Sequence, residues 1–466
     1  MKTHVGDTTA AVPSGQLFSF GERIRAKLAA SPLTFIFYAG LSAFSVYSCM
    51  YAFRKPFTAA GYEDLVFWGI SYKVLLVIAQ AIGYLSSKFA GIRIIGGMGK
   101  SRRPQTILFL ILSAWVALLA FALVPAPYNL VFMFLNGFPL GLVWGVVFSY
   151  MEGRVTTEIL GSILCTSFIF ASGFAKFVGK TFMIYFNVSE MWMPFATGAV
   201  FVIPLLICTF MLNSVPPPSE DDLRIRKPRP AMNKAERRRF LGFFGKALLP
   251  TVLAYMLVSI IRDMRDNFAN EIWLENNFGS TPAVFATSET IVTLVVLISV
   301  ALVFLVKNNY RAFASSHWLI IGGFALVGVA SLLFRQGYMS PYIWMTVCGA
   351  ALYIAYVPYN CLYFERMLAT YNVKGNAGFV MYIADSFGYL AAMSALVIKE
   401  FLSINISWTN FLGNLCILGS VLGIGLVMCS LTIFKALYLK DANVTTIPDS
   451  RPVAVPANAL QETVPG

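Results

Sequence analysis

An arginine and two tyrosines fall at spacings that bring their side chains together. Tyr47, Tyr51 and Arg54 stand at i, i+4 and i+7 in an apolar stretch, which stacks them on one face of a helix. A guanidinium beside phenol hydroxyls binds a phosphate through two parallel hydrogen bonds. The alternative is an interfacial belt, where tyrosines are common and where Arg54 would reach water at the membrane surface. The spacing fits both an anion site and such a belt.

Other charged residues also stand inside or at the edges of apolar stretches. A charge at the centre of a spanning helix costs about 2.5–3.5 kcal/mol on insertion scales, so it usually faces a watery cavity or an ionic partner. Each is therefore a candidate binding or coupling residue. They are Lys55, Lys88, Lys176, Arg262, Arg265, Glu289 and Asp385.

These charges also have purely structural interpretations. Asp263 and Asp266 stand next to Arg262 and Arg265 and would neutralise them without any role in transport. Lys88 could lie at an interface. Glu289 and Asp385 have no nearby partner in the sequence, which favours a functional role or an ion pair between helices.

The apolar stretches themselves predict a membrane protein. The chain is 58% hydrophobic and 12% charged, against about 45–50% and about 25% in an ordinary soluble domain. Helices are expected because lipid cannot satisfy open backbone groups. About 20 apolar residues span a bilayer. Twelve such spans are predicted, at 33–53, 67–90, 105–124, 128–150, 160–184, 192–213, 247–268, 283–306, 316–334, 342–363, 377–398 and 408–435.

Lysines and arginines concentrate in alternate connections, which predicts the orientation. Both termini are expected in the cytoplasm of a protein of the plasma or inner membrane. The expected segments are a cytoplasmic N-terminus, a six-helix half, a basic linker, a second six-helix half and a disordered tail. Their bounds are 1–30, 31–213, 214–246, 247–436 and 437–466. The linker could bind anionic lipid or nucleic acid, but the orientation rule already explains its charge.

The two halves carry a weak internal repeat. Tyr150, Glu152 and Arg154 precede one predicted helix, and Tyr363, Glu365 and Arg366 precede another about 213 residues later. Parallel repeats of six helices are how major facilitator transporters are built, with substrate bound between the halves. The predicted fold class is therefore an all-α membrane protein with twelve helices in two pseudo-symmetric halves.

The sequence lacks the residues that several kinds of catalytic or metal site require. The seven cysteines form no CxxC pair, and the two histidines cannot supply a histidine-based zinc or catalytic site. No nucleophile–base set or phosphate-cradling glycine loop occurs. We therefore expect no enzyme activity, cofactor or metal, and no nucleic-acid partner. The expected partners of a monomeric chain are lipid and a small anionic solute.

Four short blocks of the chain resemble the organophosphate:phosphate antiporter family of major facilitator transporters. The first is Y47-S-C-M-Y51-A-F-R54-K55 at the end of the first span. The others are Y84-L-S-S-K88-F89, F134-L-N-G137, and K374-G-N-A377-G378 leading to F387-G-Y-L390. Members of that family exchange glycerol phosphate or hexose phosphates for inorganic phosphate.

The resemblance implies a phosphate site with one arginine from each half. Arg54 matches the first arginine, and Arg262 matches the second better than Arg265 does. Lys55 would pair with Asp266. Further matches are Lys88 for a cavity lysine, Glu289 for the glutamate of the eighth helix, and Tyr47 and Tyr51 for the walls of the site.

The match has gaps. The family's histidine in the fifth helix has no counterpart, and Lys176 lies a turn or more beyond its place. Ser259 stands where the family has a tyrosine before its helix 7 arginine. These departures are typical of a divergent branch.

Exchange of phosphorylated or other anionic solutes by alternating access is the leading hypothesis. One alternative is proton-coupled transport of another solute, with Glu289 and Asp385 titrating. The other is a membrane sensor that binds a ligand without moving it.

Overall fold

The computed structural model describes residues 28, 31–63, 65–96, 102–220, 222, 232, 234–279, 281–371, 373, 377–401 and 406–445, with side chains omitted for 89–96, 401 and 441–445. Twelve long helices carry the described fold. They are α1 Pro32–Ala52, α2 Tyr72–Gly96, α3 Arg103–Leu123, α4 Leu130–Phe148, α5 Thr157–Phe186, α6 Met193–Asn213, α7 Lys234–Asn267, α8 Ala283–Phe304, α9 Asn309–Arg335, α10 Pro341–Pro358, α11 Ala377–Phe401 and α12 Trp408–Thr445.

Eleven helices within these ranges are long and apolar enough to cross a membrane, and α2 packs beside them along α4. The predicted all-α membrane architecture is confirmed. Local chemistry sets where the helices begin. Ser31 caps α1 by accepting a hydrogen bond from the Thr34 backbone N–H, and Pro32 follows at the first helical position.

Several predicted bounds differ from the structure, and three of the differences change how a segment is assigned. Residues 67–71, assigned to the second span, belong to a two-stranded hairpin of β1 Val66–Phe67 and β2 Ile70–Ser71. Its turn needs positive φ at Trp68 and Gly69, the geometry of a tight hairpin turn. At the other two bounds the helix is longer than predicted, because the lipid-spanning window covers only its apolar part.

The first of these longer helices is α7, which begins at Lys234, so residues 234–246 of the predicted linker are helical. The second is α12, which continues to Thr445, so residues 437–445 are helical rather than part of a disordered tail. The rest of the tail, residues 1–27 and most of 221–233 lie outside the described residues.

The first half of the bundle, α1–α6, meets the second half, α7–α12, mainly where α5 packs against α8. Gly173 permits this approach, because a Cβ at that position would collide with the Phe285 carbonyl and with the Glu289 side chain. A smaller contact joins α2 to α11. The space between these two contacts is left for a cavity.

One helix of the second half changes its winding. α10 ends at Pro358, continues as a π-helical turn over Tyr359–Tyr363, and resumes as a short α-helix over Phe364–Thr370. π-turns are rare and often occur at functional sites. This one faces the space between the halves.

Candidate functional site

A cavity of about 530 Å³ lies between the two halves. Its volume is in the range of sites that hold small organic ligands. Its walls come from α1, α2, α4 and α5 of the first half and from α7, α10 and α11 of the second. Many of the wall residues are aromatic, with seven tyrosines: Tyr47, Tyr51, Tyr84, Tyr353, Tyr356, Tyr382 and Tyr389.

Arg54 lies in this wall, just beyond the end of α1, with only 9% of its surface exposed. Its guanidinium carbon stacks 4.0 Å from the centre of the Tyr84 ring and 5.6 Å from that of Tyr51. Its Nε has no hydrogen-bond acceptor among the described residues. A buried donor without an acceptor is costly, so this group is suited to binding a ligand oxygen.

The two tyrosines predicted beside Arg54 also line the cavity. The Tyr47 ring lies 5.6 Å from the Tyr51 ring and 5.1 Å from Trp144, in edge-to-face contacts. Aromatic pairs favour this geometry, which fixes the rings in place. The face predicted from the i, i+4, i+7 spacing is therefore a cavity wall and not an interfacial belt.

Two buried amides hold the chain at Arg54. Gln80 Nε2 donates to the Arg54 carbonyl at 2.9 Å and to Asn136 Oδ1 at 2.8 Å. Asn136 Nδ2 donates to the carbonyls of Phe53 at 2.9 Å and Ala114 at 3.0 Å. The carbonyls at the end of a helix lack partners within the helix. Gln80 and Asn136 supply them and fix the backbone that carries Arg54.

Arg262 of α7 faces the same cavity from the second half. Its guanidinium carbon lies 3.8 Å from the centre of the Tyr356 ring. Its Nε and Nη2 donate to Asp263 Oδ1 at 3.1 and 2.6 Å. The two arginines predicted to match the family's pair thus line one cavity, each stacked on a tyrosine.

Asp266 is the centre of an ion-pair network between the halves. Its carboxylate lies 2.5 Å from Lys55 Nζ and 2.5 Å from Lys176 Nζ, both from the first half. Ser172 donates to it at 2.5 Å, and Lys55 also donates to Asn267 Oδ1 at 2.7 Å. Lys55 therefore has the partner that the resemblance implies. Lys176, predicted as a ligand residue, is 2% exposed and is held on Asp266 instead.

Lys88 and Asp385 form a second ion pair between the halves, joining α2 to α11 within the cavity wall. Lys88 Nζ also lies 4.7 Å from the Tyr389 ring centre. Asp385 accepts a further hydrogen bond from Tyr255 at 2.9 Å. Asp385 has no nearby partner in the sequence, and in the structure it forms an ion pair with a lysine of another helix.

Arg265 and Glu289 are placed away from the cavity lining. Arg265 Nη2 lies 2.7 Å from Glu289, and its Nε donates to the Met345 carbonyl at 3.0 Å. Arg265 was a candidate ligand residue, but its side chain points into the packed second half. Residues three apart on a helix differ in direction by about 60°, so Arg262 and Arg265 point to adjacent sectors around α7, and of the two only Arg262 lies in the cavity lining.

Contacts between the halves also occur at both ends of the cavity. Lys73 pairs with Glu271 at 2.5 Å, and Lys180 donates to Asn270 at 2.9 Å, on the side where α1 ends. At the opposite end Arg366 pairs with Glu158 at 3.1 Å. These two lie beside a second cavity of about 510 Å³, which shares lining residues with the first.

Sequence patterns did not single out several important residues of this site. Gln80, Asn136 and Tyr356 carry no charge and were not among the candidate site residues, although Asn136 lies in one of the blocks of family resemblance. Asp263 was noted only as a neutralising neighbour. A polar amide in the middle of an apolar span was the available signal for Gln80 and Asn136.

The arrangement of helices is that of major facilitator transporters. The structure of the nucleoside transporter NupG is similar with a TM-score of 0.57 at 13% identity, covering 87% of this chain and 99% of that one. A D-xylose–proton symporter gives 0.55 at 14%, covering 84% and 97%. A bacterial homologue of the lysosomal transporter Spinster, in an inward-facing unoccupied state, gives 0.54 at 13%, covering 88% and 97%.

The chain belongs to the family of unknown function DUF5690, whose sequence profile matches residues 56–437. No curated protein sequence matches this chain. The matched range includes Arg262, whereas Tyr47, Tyr51, Arg54 and Lys55 precede it.

Proposed function

We propose that this protein is a secondary active transporter that exchanges small organic anions, phosphorylated solutes first among them, by alternating access. The observation that carries the proposal is that Arg54 and Arg262, from opposite halves, line one cavity. The major facilitator fold and the transporters that share it support the transport mechanism. The resemblance in four blocks supports the phosphate.

The pairing of charges around the cavity also favours an anion. The cations in and around it are Arg54, Lys55, Lys88, Lys176, Arg262 and Arg265, and the carboxylates are Glu152, Asp263, Asp266, Glu289 and Asp385. Among the described residues, Arg54 is the lining cation that has no carboxylate paired with it. Because an uncompensated charge in low dielectric is costly, an anionic ligand would stabilise Arg54.

The placement of the arginines suggests how binding is coupled to movement. An anion held by Arg54 and Arg262 together draws the two halves towards each other around it. The empty carrier keeps an unneutralised guanidinium at Arg54, which disfavours its passage through the closed intermediate. Exchange of one anion for another is then faster than net flux.

The same proposal places the protein in the plasma or inner membrane as a monomer with both termini in the cytoplasm. The asymmetry of lysine and arginine among the connections supports that orientation.

Counterflow in proteoliposomes tests the function. Vesicles containing the full chain are loaded with inorganic phosphate and diluted into labelled glycerol phosphate, glucose 6-phosphate or phosphate. We expect accumulation of label only in loaded vesicles. Folded protein that accumulates none of the three and binds none in detergent would contradict the anion proposal.

One observation favours a proton-coupled alternative. Asp385 lies in the cavity wall and ties the halves together through Lys88, so its protonation would release that contact. Uptake of a neutral sugar or nucleoside driven by a pH step, lost in Asp385→Asn but retained in Arg54→Gln, would select this alternative over anion exchange.

A further inference from the structure

Arg262 already holds an anion in this structure. One oxygen of Asp263 receives hydrogen bonds from both Nε and Nη2, on the edge of the guanidinium that would otherwise grip a phosphate or carboxylate. Adjacent residues on a helix do not normally face each other. Here both side chains turn into the cavity, with 12% of Arg262 and 19% of Asp263 exposed.

Arg54 shows the contrasting state. It is stacked on a tyrosine ring as Arg262 is, but its Nε has no acceptor among the residues described, and no carboxylate is paired with it there. The two arginines thus present similar guanidinium groups, of which one is occupied and one is open.

Asp263 also differs from the other carboxylates near the site in how it is held. Asp266 is fixed by Lys55, Lys176 and Ser172, and its removal would break contacts between the halves. The partner of Asp263 is its neighbour in sequence. A rotation of its own side chain is enough to free Arg262, without any movement of the backbone.

We propose that Asp263 is a specificity-determining residue: an internal competitor that occupies Arg262 in the empty transporter and that a substrate must displace. The inference rests on the proposed anion transport. A substrate then has to bind Arg262 more strongly than the Asp263 carboxylate does. A phosphate monoester meets this demand with two charges and several oxygens, whereas chloride has a single charge and no paired oxygens.

The competitor also explains how a buried guanidinium is tolerated in the empty site. Without Asp263, Arg262 would lack a counter-ion in low dielectric, and abundant small anions would fill the place. Asp263 supplies the counter-ion and keeps those anions out. Affinity for the substrate is reduced as a consequence.

Binding of inorganic phosphate to the purified full-length chain tests the proposal. The variant Asp263→Asn keeps the shape of the side chain but removes its charge. Because hydrogen bonds to charged groups contribute about 1.5–3 kcal/mol, we expect the Kd for phosphate to fall by about tenfold or more. We also expect chloride to compete with phosphate more strongly in this variant than in the wild type.

Two further variants isolate the effect. Glu220→Gln removes one negative charge from an exposed site outside the cavity and controls for net charge, so its Kd should equal that of the wild type. In Arg262→Gln the added change Asp263→Asn should give no gain, because the arginine it would free is gone. Thermal unfolding of each variant shows that it is folded.

The outcomes separate the two proposals. A wild-type chain that binds phosphate, with Asp263→Asn binding equally or more weakly, overturns the role of Asp263 and leaves anion transport standing. A gain that persists with Arg262→Gln also overturns it. If folded wild type and Asp263→Asn both bind no anion, the proposed function fails and this inference fails with it.

Discussion

Asn136 of α4 donates its side-chain amide to the carbonyl of Phe53 at 2.9 Å, one residue before Arg54. The side chain is fully buried and bonds at the same time to Ala114 and Gln80. Replacement by leucine removes the side-chain donor from the buried Phe53 carbonyl, the second donor from the Ala114 carbonyl, and one of the two acceptors of the Gln80 amide. We expect Asn136→Leu to lower the free energy of unfolding by about 2–4 kcal/mol, because each unsatisfied buried group costs about 1–3 kcal/mol.

The matched control removes a hydrogen bond at an exposed position. Thr106 donates to the Arg102 carbonyl at 2.9 Å, and Thr106→Val should change the stability by less than about 0.5 kcal/mol. Denaturant unfolding in detergent, followed by tryptophan fluorescence, measures both. Equal stability of the two variants would show that the amide does not anchor the end of α1.

Arg54 should be the most sensitive position for the binding of anions. Loss of a buried charge that grips a ligand costs about 2–5 kcal/mol, so Arg54→Gln should weaken phosphate binding by at least about 30-fold. Arg54→Lys should recover part of it, since lysine keeps the charge but lacks the flat fork that stacks on Tyr84. Arg335→Gln, on an exposed arginine, is the control. Retention of wild-type affinity in Arg54→Gln would exclude Arg54 as a ligand residue.

The network around Asp266 predicts an order of effects on stability. Asp266→Asn leaves the buried ammonium groups of Lys55 and Lys176 facing each other, and breaking a buried pair costs about 3–5 kcal/mol. Lys55→Met should cost less, because Lys176 still pairs with the carboxylate. The exposed change Lys307→Met should have little effect. A Lys55→Met chain less stable than Asp266→Asn would contradict this order.

The pair between Arg366 and Glu158 should restrict access to the second cavity. Cys361 lines that cavity and provides a probe in a chain whose other cysteines are replaced by alanine. Arg366→Gln should raise the rate at which a water-soluble maleimide labels Cys361, because one contact between the halves is gone. Arg311→Gln, at an exposed site, should leave the rate unchanged. Slower labelling in Arg366→Gln would show that the pair holds the cavity open.

The helices themselves were predictable because lipid imposes a length and a polarity on each one. The predictions were wrong at segments that do not span the lipid, because the constraint on length and polarity does not apply to them. The apolar pair Val66–Phe67 forms a strand because Trp68 and Gly69 make a tight turn, and the basic residues at the start of α7 are helical although they could not span a bilayer.

The site was predictable in its residue types and less so in its pairings. The face formed by Tyr47, Tyr51 and Arg54 follows from helical spacing alone. The partners of Asp385 and Glu289 do not, because they come from other helices and depend on how the halves meet. Arg262 and Arg265 differ only in direction around α7, which the sequence could not assign without a known cavity.

The π-helical turn at Tyr359–Tyr363 determines the direction in which each later side chain of the tenth helix points. A π-turn accommodates one residue more than an α-turn, so each later side chain is rotated by about 100° from the direction an unbroken α-helix would give it. Arg366 pairs with Glu158 in that rotated register. Deleting one residue of the turn would turn this arginine towards another face of the bundle, so the position of the ionic contact is encoded by residue count rather than by residue type.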